Sequence, residues 1–332
     1  MSVSLQKYVN SFFKELLDDS DINEIAYNGD DKLWYQNTKG IWEYTASGRL
    51  DFEGASAFAQ ASAAFKDDKI DNTKPILSCI LTTGERVQIV MPSATKKDHI
   101  SITIRKPSTK RYTTKDYKDM GFFNHIVHEN EKQITPRDKE LLHHYHNNEW
   151  ESFITKAVSY GKNVVISGGT GSGKTTFMKT LIDYISTDDR IITIEDVEEI
   201  VFYEHKNFVQ LFYPSEAKEG DPITSATLLK SCLRMKPDRI LLAELRGAET
   251  YDFINVLSSG HGGSITSCHA GSTQETFKRL ALMCLQNKQG QCVPFEILQN
   301  NLRDLIDVVV HVVAHGGKRH ISDVYFKGAY NE

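Results

Sequence analysis

Residues 168–175 read Gly-Gly-Thr-Gly-Ser-Gly-Lys-Thr, the spacing G-x-x-x-x-G-K-[ST] of a phosphate-binding loop. The apolar run Asn163-Val164-Val165-Ile166-Ser167 precedes it and helically spaced residues from Thr176 to Ile182 follow, so strand, glycine turn and helix come in the order the chemistry needs. Glycines let the backbone wrap closely around phosphate oxygens, and the helix start adds unpaired N–H groups. Gly169, Thr170, Gly171, Ser172, Gly173, Lys174, Thr175 and Thr176 are therefore the candidate cradle for a nucleoside triphosphate. Lys174 is placed to reach the β- and γ-phosphates, and the Thr175 hydroxyl to sit on Mg²⁺.

Two later runs end in carboxylates. Ile191-Ile192-Thr193-Ile194-Glu195-Asp196 is an apolar strand closing on two acids, and Arg239-Ile240-Leu241-Leu242-Ala243-Glu244 repeats the pattern before Leu245-Arg246. In an open parallel sheet ligands bind at the carboxyl ends of strands, so these acids are expected to face the crevice of the phosphate loop. Glu195 there orients or deprotonates the attacking water, and Glu244 supports the metal. The alternative reading of Glu195 and Asp196 is acids at a helix start. A third strand end, Ile265-Thr266-Ser267-Cys268-His269, carries a histidine that is either structural or hydrogen-bonded to a phosphate.

The elements that must position these groups divide the chain. Residues 1–20 form an amphipathic helical pattern, 24–45 a hairpin pattern with turns at Asn28-Gly29-Asp30-Asp31 and Asn37-Thr38-Lys39-Gly40, and 53–66 an Ala-rich helix. Arg86–Val90 and Ile100–Ile104 alternate as strands. Residues 1–112 thus read as an α+β domain with an antiparallel sheet, 113–136 as a polar linker, and 137–332 as a strand–helix alternation. The third region opens with a helix from about Arg137 to Tyr160. Strands follow at 163–167, 190–195, 207–212, 238–243, 263–267 and 306–313, and helices at 174–186, 224–235, 248–258 and 273–285. The expected sheet is mainly parallel and covered by helices.

Composition bounds the rest. With 332 residues, 40% hydrophobic and 25% charged, the chain is ordinary for a two-domain globular protein. A net charge of -5 argues against wholesale coating of nucleic acid. The five cysteines include no C-x-x-C pair and are odd in number, which suits a reduced compartment better than a disulfide framework. No signal peptide and no run of ~20 apolar residues is found, so the expectation is a soluble, cytoplasmic protein attached to membranes through partners. Residues 96–118 hold eight Lys/Arg against two acids and read as a solvated edge. His143-His144-Tyr145-His146 lacks partners at metal-ligand spacing.

Taken in order, the phosphate loop, Ile194-Glu195-Asp196, Leu233 to Arg239, Ala243-Glu244-Leu245-Arg246 and His269-Ala270-Gly271-Ser272 resemble the type II/type IV secretion ATPase superfamily, nearest its type IV traffic ATPases. Gly84 to Ile89 and Ile102 to Ser108 extend the resemblance into the first domain. It implies an α/β fold, a RecA-like P-loop motor domain behind the N-terminal α+β antiparallel-sheet domain. It also implies ATP and Mg²⁺ as cofactors, held by Thr175 and Glu244, and Glu195 and Glu244 as catalytic and Walker B acids. His269 is implied to contact phosphate. Arg86 and Arg105 match N-domain arginines that reach the nucleotide phosphates, in the same subunit or across an interface. The implied assembly is a homohexameric ring, docked at the inner membrane through other subunits of a membrane-embedded secretion machine, with nucleic acid as cargo only. The first domain is then expected to close on bound phosphate. Three other readings of the same loop remain at this stage: a RecA-like nucleic-acid translocase or helicase, a small-molecule kinase, and a nucleotide-gated assembly scaffold.

Overall fold

The computed structural model describes residues 3–108, 111–128, 134–218 and 220–330, so part of the linker read at 113–136 lies outside the described residues. The chain starts with two helices, α1 (Val3–Phe12) and α2 (Lys14–Asp18), where one pattern suggested a single helix. Between them Phe13 leaves helical geometry and buries its ring edge-on against Phe58, 5.2 Å between centroids. Next come β1 (Ile22–Tyr27), β2 (Lys32–Asn37), β3 (Trp42–Ala46), α3 (Phe52–Phe65), β4 (Ile76–Ile80), β5 (Arg86–Val90) and β6 (Ser101–Arg105). Asp51 caps α3 through the Gly54 N–H. The strands make a six-stranded antiparallel sheet, β3-β2-β1-β6-β5-β4. Its core holds Leu5, Phe13, Ile25, Phe58 and Ile104, all buried.

Helix α4 (Thr114–Asp119) stands within the connector, closed by a capping box between Thr113 and Asp116. The single helix expected over 137–160 is two, α5 (Pro136–His146) and α6 (Trp150–Ser159). Asn148 at φ 59 turns the chain in the left-handed region that asparagine tolerates, and this ends the first helix. The alternation then runs β7 (Val164–Gly168), α7 (Lys174–Ile182), β8 (Ile191–Glu195), β9 (Phe208–Phe212), α8 (Ser225–Cys232), β10 (Arg239–Leu245), α9 (Glu249–Ser258) and β11 (Ile265–Cys268). It closes with α10 (Thr273–Cys284), α11 (Phe295–Leu305), β12 (Val308–His315) and β13 (Lys318–Phe326). The seven strands lie in the order β13-β12-β7-β11-β10-β8-β9, every neighbouring pair parallel except β12 with β13. Helices bury both faces, which is why β7, β8 and β11 are buried at every position.

The antiparallel sheet docks along the β9 side of the parallel one. At the amino ends of the parallel strands the guanidinium of Arg190 is fully buried. It donates to Asn28 Oδ1 (2.8 Å), Asn207 Oδ1 and the Met235 carbonyl (3.0 Å), and lies 5.4 Å from the Trp42 ring centroid. The Trp42 indole N–H and the Arg190 backbone N–H share the Asp238 carboxylate. Higher up, Gln88 donates to Ser231, Thr95 to the Gln210 carbonyl, and Lys96 pairs with Glu198.

Replacing Arg190 by Leu strips the donor from Asn28 Oδ1 and the Met235 carbonyl inside a sealed interface. The expected cost is about 2–4 kcal/mol, read as a lower thermal midpoint together with faster proteolysis between the two halves. An unchanged midpoint would show that the two halves are held elsewhere.

Candidate nucleotide site

Strand β7 ends at Gly168, whose φ is 156. A Cβ there would stand 2.2 Å from the Val312 carbonyl oxygen and 2.7 Å from Ser172 Oγ, so only glycine lets β7 and β12 come this close as the loop begins. A Cβ built on Gly169 or Gly171 would meet nothing within 4 Å, which leaves the mouth of the loop open. Gly173 (φ 95) starts α7 without a side-chain cap, so the first N–H groups of the helix are left for an anion. Thr175 is half-buried and Thr176 exposed on that first turn, and Thr170 is exposed at the loop's crest. Ser172 Oγ is buried and has no hydrogen-bond partner among the described residues.

Lys174 is 7% exposed and donates to the Gly168 and Gly169 carbonyls at 3.0 Å each. Its ammonium lies 3.3 Å from His269 Nδ1. Burial lowers the lysine's pKa, and the nearby Glu244 opposes the change. His269 Nε2 stands 3.0 Å from Glu244 Oε1, yet that buried oxygen receives no aligned hydrogen bond. Glu244 Oε2 accepts from Arg246 Nη2 at 2.8 Å, and Arg246 Nη1 reaches Asp196. The loop, His269, Glu244, Arg246 and Asp196 thus form one chain of contacts across the carboxyl ends of β7, β11, β10 and β8. Arg246, held by both carboxylates, has a pKa raised well beyond its ordinary value. Sequence reasoning quoted Arg246 only as part of a motif; its place two residues beyond Glu244 was the signal.

Glu195 departs from the expectation that it faces the crevice. Its side chain is fully buried, and both oxygens are engaged. Oε1 accepts from Thr193 Oγ1 (2.6 Å) and Gln210 Nε2 (3.3 Å), and Oε2 from the N–H groups of Glu199 (2.9 Å) and Ile200 (2.8 Å). In this conformation the carboxylate anchors the segment after β8, and no lone pair remains for a water. Cys268 is also buried. Burial pushes its thiol up to about 12, which makes it inert packing behind the histidine.

Arg86 and Arg105 lie directly opposite each other on β5 and β6. Arg105 Nε is 3.4 Å from Glu24 Oε1, and Glu24 also feels the charges of Lys236 and Arg190, which flank the amino ends of β10 and β8. The phosphate loop is at the carboxyl end of β7. Of the two arrangements the resemblance leaves open, same subunit or across an interface, the structure does not bring these arginines to the loop of their own chain. Two like charges directly opposite each other on neighbouring strands repel, and one mostly buried carboxylate, Glu24, answers Arg105.

The residues present fit Mg²⁺-ATP. Ser172 Oγ and Glu244 Oε1 are two buried oxygens without hydrogen-bond donors, and the loop around Gly169 and Gly171 is an open cradle. Mg²⁺ typically takes one or two protein oxygens together with phosphates, and Thr175 and Glu244 supply that donor chemistry.

A family profile described as "Type II/IV secretion system protein" matches residues 141–318. The chain is 52% identical over 315 residues to the type IV secretion system protein VirB11 of Brucella abortus, covering 93% of this chain and 86% of that one. It is 38% identical over 312 residues to PtlH, a type IV secretion system protein of Bordetella pertussis, with 92% and 91% covered. The crystal structure of the VirB11 ATPase from the Brucella suis type IV secretion system, in complex with sulphate, superposes with a TM-score of 0.92 at 48% identity. It covers 98% of this chain and 100% of that one.

Burial raises Glu24 to about 7 despite Arg105, Lys236 and Arg190 beside it. A carboxyl raised on folding binds its proton more tightly in the native state, so its contribution is complete below the unfolded value near 4.5 and is lost as pH rises to about 7. Glu24→Gln is expected to remove this slope. The difference in unfolding free energy between wild type and variant should change between those two pH values, by about 3 kcal/mol at most, and stay flat above. A difference independent of pH would refute the assignment.

Proposed function

The chain belongs to the type II/IV secretion system protein family and is a type IV secretion ATPase, and we propose that it acts as a Mg²⁺-dependent homohexameric ring in which each nucleotide is bound by one subunit and completed by the next. The observation that carries this reading is the contact chain from Lys174 through His269 and Glu244 to Arg246, set across the mouth of an open phosphate loop. No helix among the described residues is long and apolar enough to cross a membrane. Other subunits of a membrane-embedded secretion machine would then hold the ring at the inner membrane, on its cytoplasmic side.

Binding begins with an exchange. Lys174 leaves the carbonyls of Gly168 and Gly169 for the β- and γ-phosphates, while the open N–H groups at the start of α7 and the Ser172 hydroxyl take phosphate oxygens. Mg²⁺, when bound, supplies charge neutralisation at the phosphates, with Thr175 and Glu244 as its protein oxygens. His269, between Lys174 and Glu244, is placed to register whether the terminal phosphate is there. Glu195 positions the attacking water once the segment it anchors through Glu199 and Ile200 moves. Until then its carboxylate is engaged, which couples hydrolysis to a local rearrangement.

Arg86 and Arg105 would neutralise charge developing on the nucleotide of a neighbouring copy, since Arg105 is held by Glu24 on the side of Lys236 and Arg86 lies opposite it on the next strand. An arginine acting in this way contributes on the order of 10³–10⁵ in rate. Arg86 beside an Arg105 that pairs with Glu24 suits a site that takes an anion.

Two measurements test this. Lys174→Ala and Arg105→Ala are each expected to abolish Mg²⁺-ATP hydrolysis alone and to recover part of it when mixed, because a mixed ring contains interfaces with both residues intact. No recovery on mixing would sink the shared site. Glu244→Gln and Glu195→Gln are both expected to lower kcat by about 10²-fold or more. Only Glu195→Gln should also lower the thermal midpoint, because a glutamine cannot accept all four hydrogen bonds; equal midpoints would dismiss the anchoring role.

A further inference from the structure

The strand β12 pairs with β7 only from Val308 to Val312, the last partner being Gly168. The hairpin nevertheless continues through His315, turns at Gly316-Gly317 (φ 57 and 78) and returns as β13 from Lys318. Its tip therefore overhangs the phosphate loop. From it the Arg319 side chain runs beside Gly173. A Cβ built on that glycine would meet Arg319 Cδ at 3.0 Å, Nε at 3.4 Å and Nη1 at 3.6 Å.

Arg319 is exposed, and among the described residues it has no acid partner and no hydrogen bond. A guanidinium held at the amino end of α7 faces the positive pole of that helix, an unfavourable arrangement unless an anion lies between them. Next to it the Ser172 hydroxyl is 2% exposed and lacks a partner. A solvent-facing cation without an acid partner and a buried hydroxyl without a hydrogen bond thus converge on the same end of the loop.

Strand order says which part of the ligand they meet. Glu244 and His269, at the ends of β10 and β11, lie on one flank of β7, and Arg319 comes from β13 on the other. The acids, and with them the hydrolytic chemistry, occupy the first flank. Accepting the nucleotide site above, we propose that Arg319 is a ligand of the bound nucleotide from the β12–β13 hairpin, gripping the α- and β-phosphates on the nucleoside side and not the γ-phosphate. The α/β assignment separates it from Lys174, Arg86 and Arg105. Its chemistry is that of a forked donor to phosphate oxygens.

The full-length protein is titrated with ATP and with ADP in Mg²⁺, by calorimetry, as wild type, Arg319→Ala, Arg319→Lys and Lys318→Ala. Arg319→Ala is expected to weaken both nucleotides by the same factor, about tenfold for one charge-assisted contact. Arg319→Lys should fall between that variant and wild type, and Lys318→Ala should match wild type. Unchanged affinity in Arg319→Ala overturns the proposal, as does a loss confined to ATP or an equal loss in Lys318→Ala. If the wild type binds neither nucleotide, the nucleotide site itself fails; a wild type that binds alongside an indifferent Arg319→Ala removes only the role of Arg319.

Discussion

The buried guanidinium of Arg190 is the constraint on which the arrangement of the two halves depends. A charge this deep needs partners; Nε and Nη1 have them, while Nη2 has none among the described residues. Its partners come from both sheets: Asn28 from the antiparallel one, Asn207 and the Met235 carbonyl from the parallel one, with Trp42 over its face. Because Arg190 immediately precedes β8, this knot sits at the amino ends of the parallel strands. It directs the Glu24–Arg105 edge of the first sheet toward Lys236 and leaves the carboxyl ends, with the phosphate loop, uncovered by the arginines of the same chain. The distance between these arginines and the loop of their own chain is thus tied to where one arginine is buried.

The second constraint is electrostatic. The crevice places Lys174 and Arg246 among Glu244, Asp196 and His269 so that each charge has a counterpart before any ligand is present. Among the described residues Ser172 Oγ and one Glu244 oxygen at this crevice lack hydrogen-bond partners. Adding an anionic ligand with its metal replaces the carbonyl contacts of Lys174 and offers partners to the two idle oxygens, with little reorganisation of the strands beneath.

Much of this was legible in the sequence because buried parallel strands announce themselves as β-branched runs. The strands β7, β8, β10, β11 and β12 fell within two residues of their patterns, and the loop, Glu244 and His269 converge as their strand-end positions required. What was hidden has physical reasons. β13 reads Lys-Arg-His-Ile-Ser-Asp, polar because it is an edge strand paired on one side only, so neither the hairpin nor Arg319 gave a periodic signal. The break after α5 depends on the left-handed backbone of Asn148, which no apolar spacing encodes. The occupation of Glu195 arises from Gln210 and the N–H groups of residues 199 and 200, contacts across strands and around a bend that a strand-end rule does not contain. The placement of Arg86 and Arg105 is set by docking between sheets, which leaves no local trace.

Those same contacts connect the first domain to the chemistry. Gln210 donates to Glu195 Oε1 and to the Ile200 carbonyl, while its own carbonyl accepts from Thr95 Oγ1 and its side-chain oxygen lies 3.4 Å from Lys96 Nζ. Lys96 also pairs with Glu198, in the segment that Glu195 anchors. For Glu195 to free an oxygen for water, the 196–200 segment has to move, and that movement must either break or carry along Thr95 and Lys96. Outside the Arg190 knot the halves also share an apolar contact: Val90 and Ala94 are buried in the core of the parallel sheet, and the Phe212 N–H donates to the Ala94 carbonyl at 3.0 Å. Arg190 and Glu195 terminate the same strand about 16 Å apart. The Thr95–Gln210 contact is thus where the segment anchored by Glu195 touches the other sheet, and the Arg190 knot lies at the opposite end of the same strand.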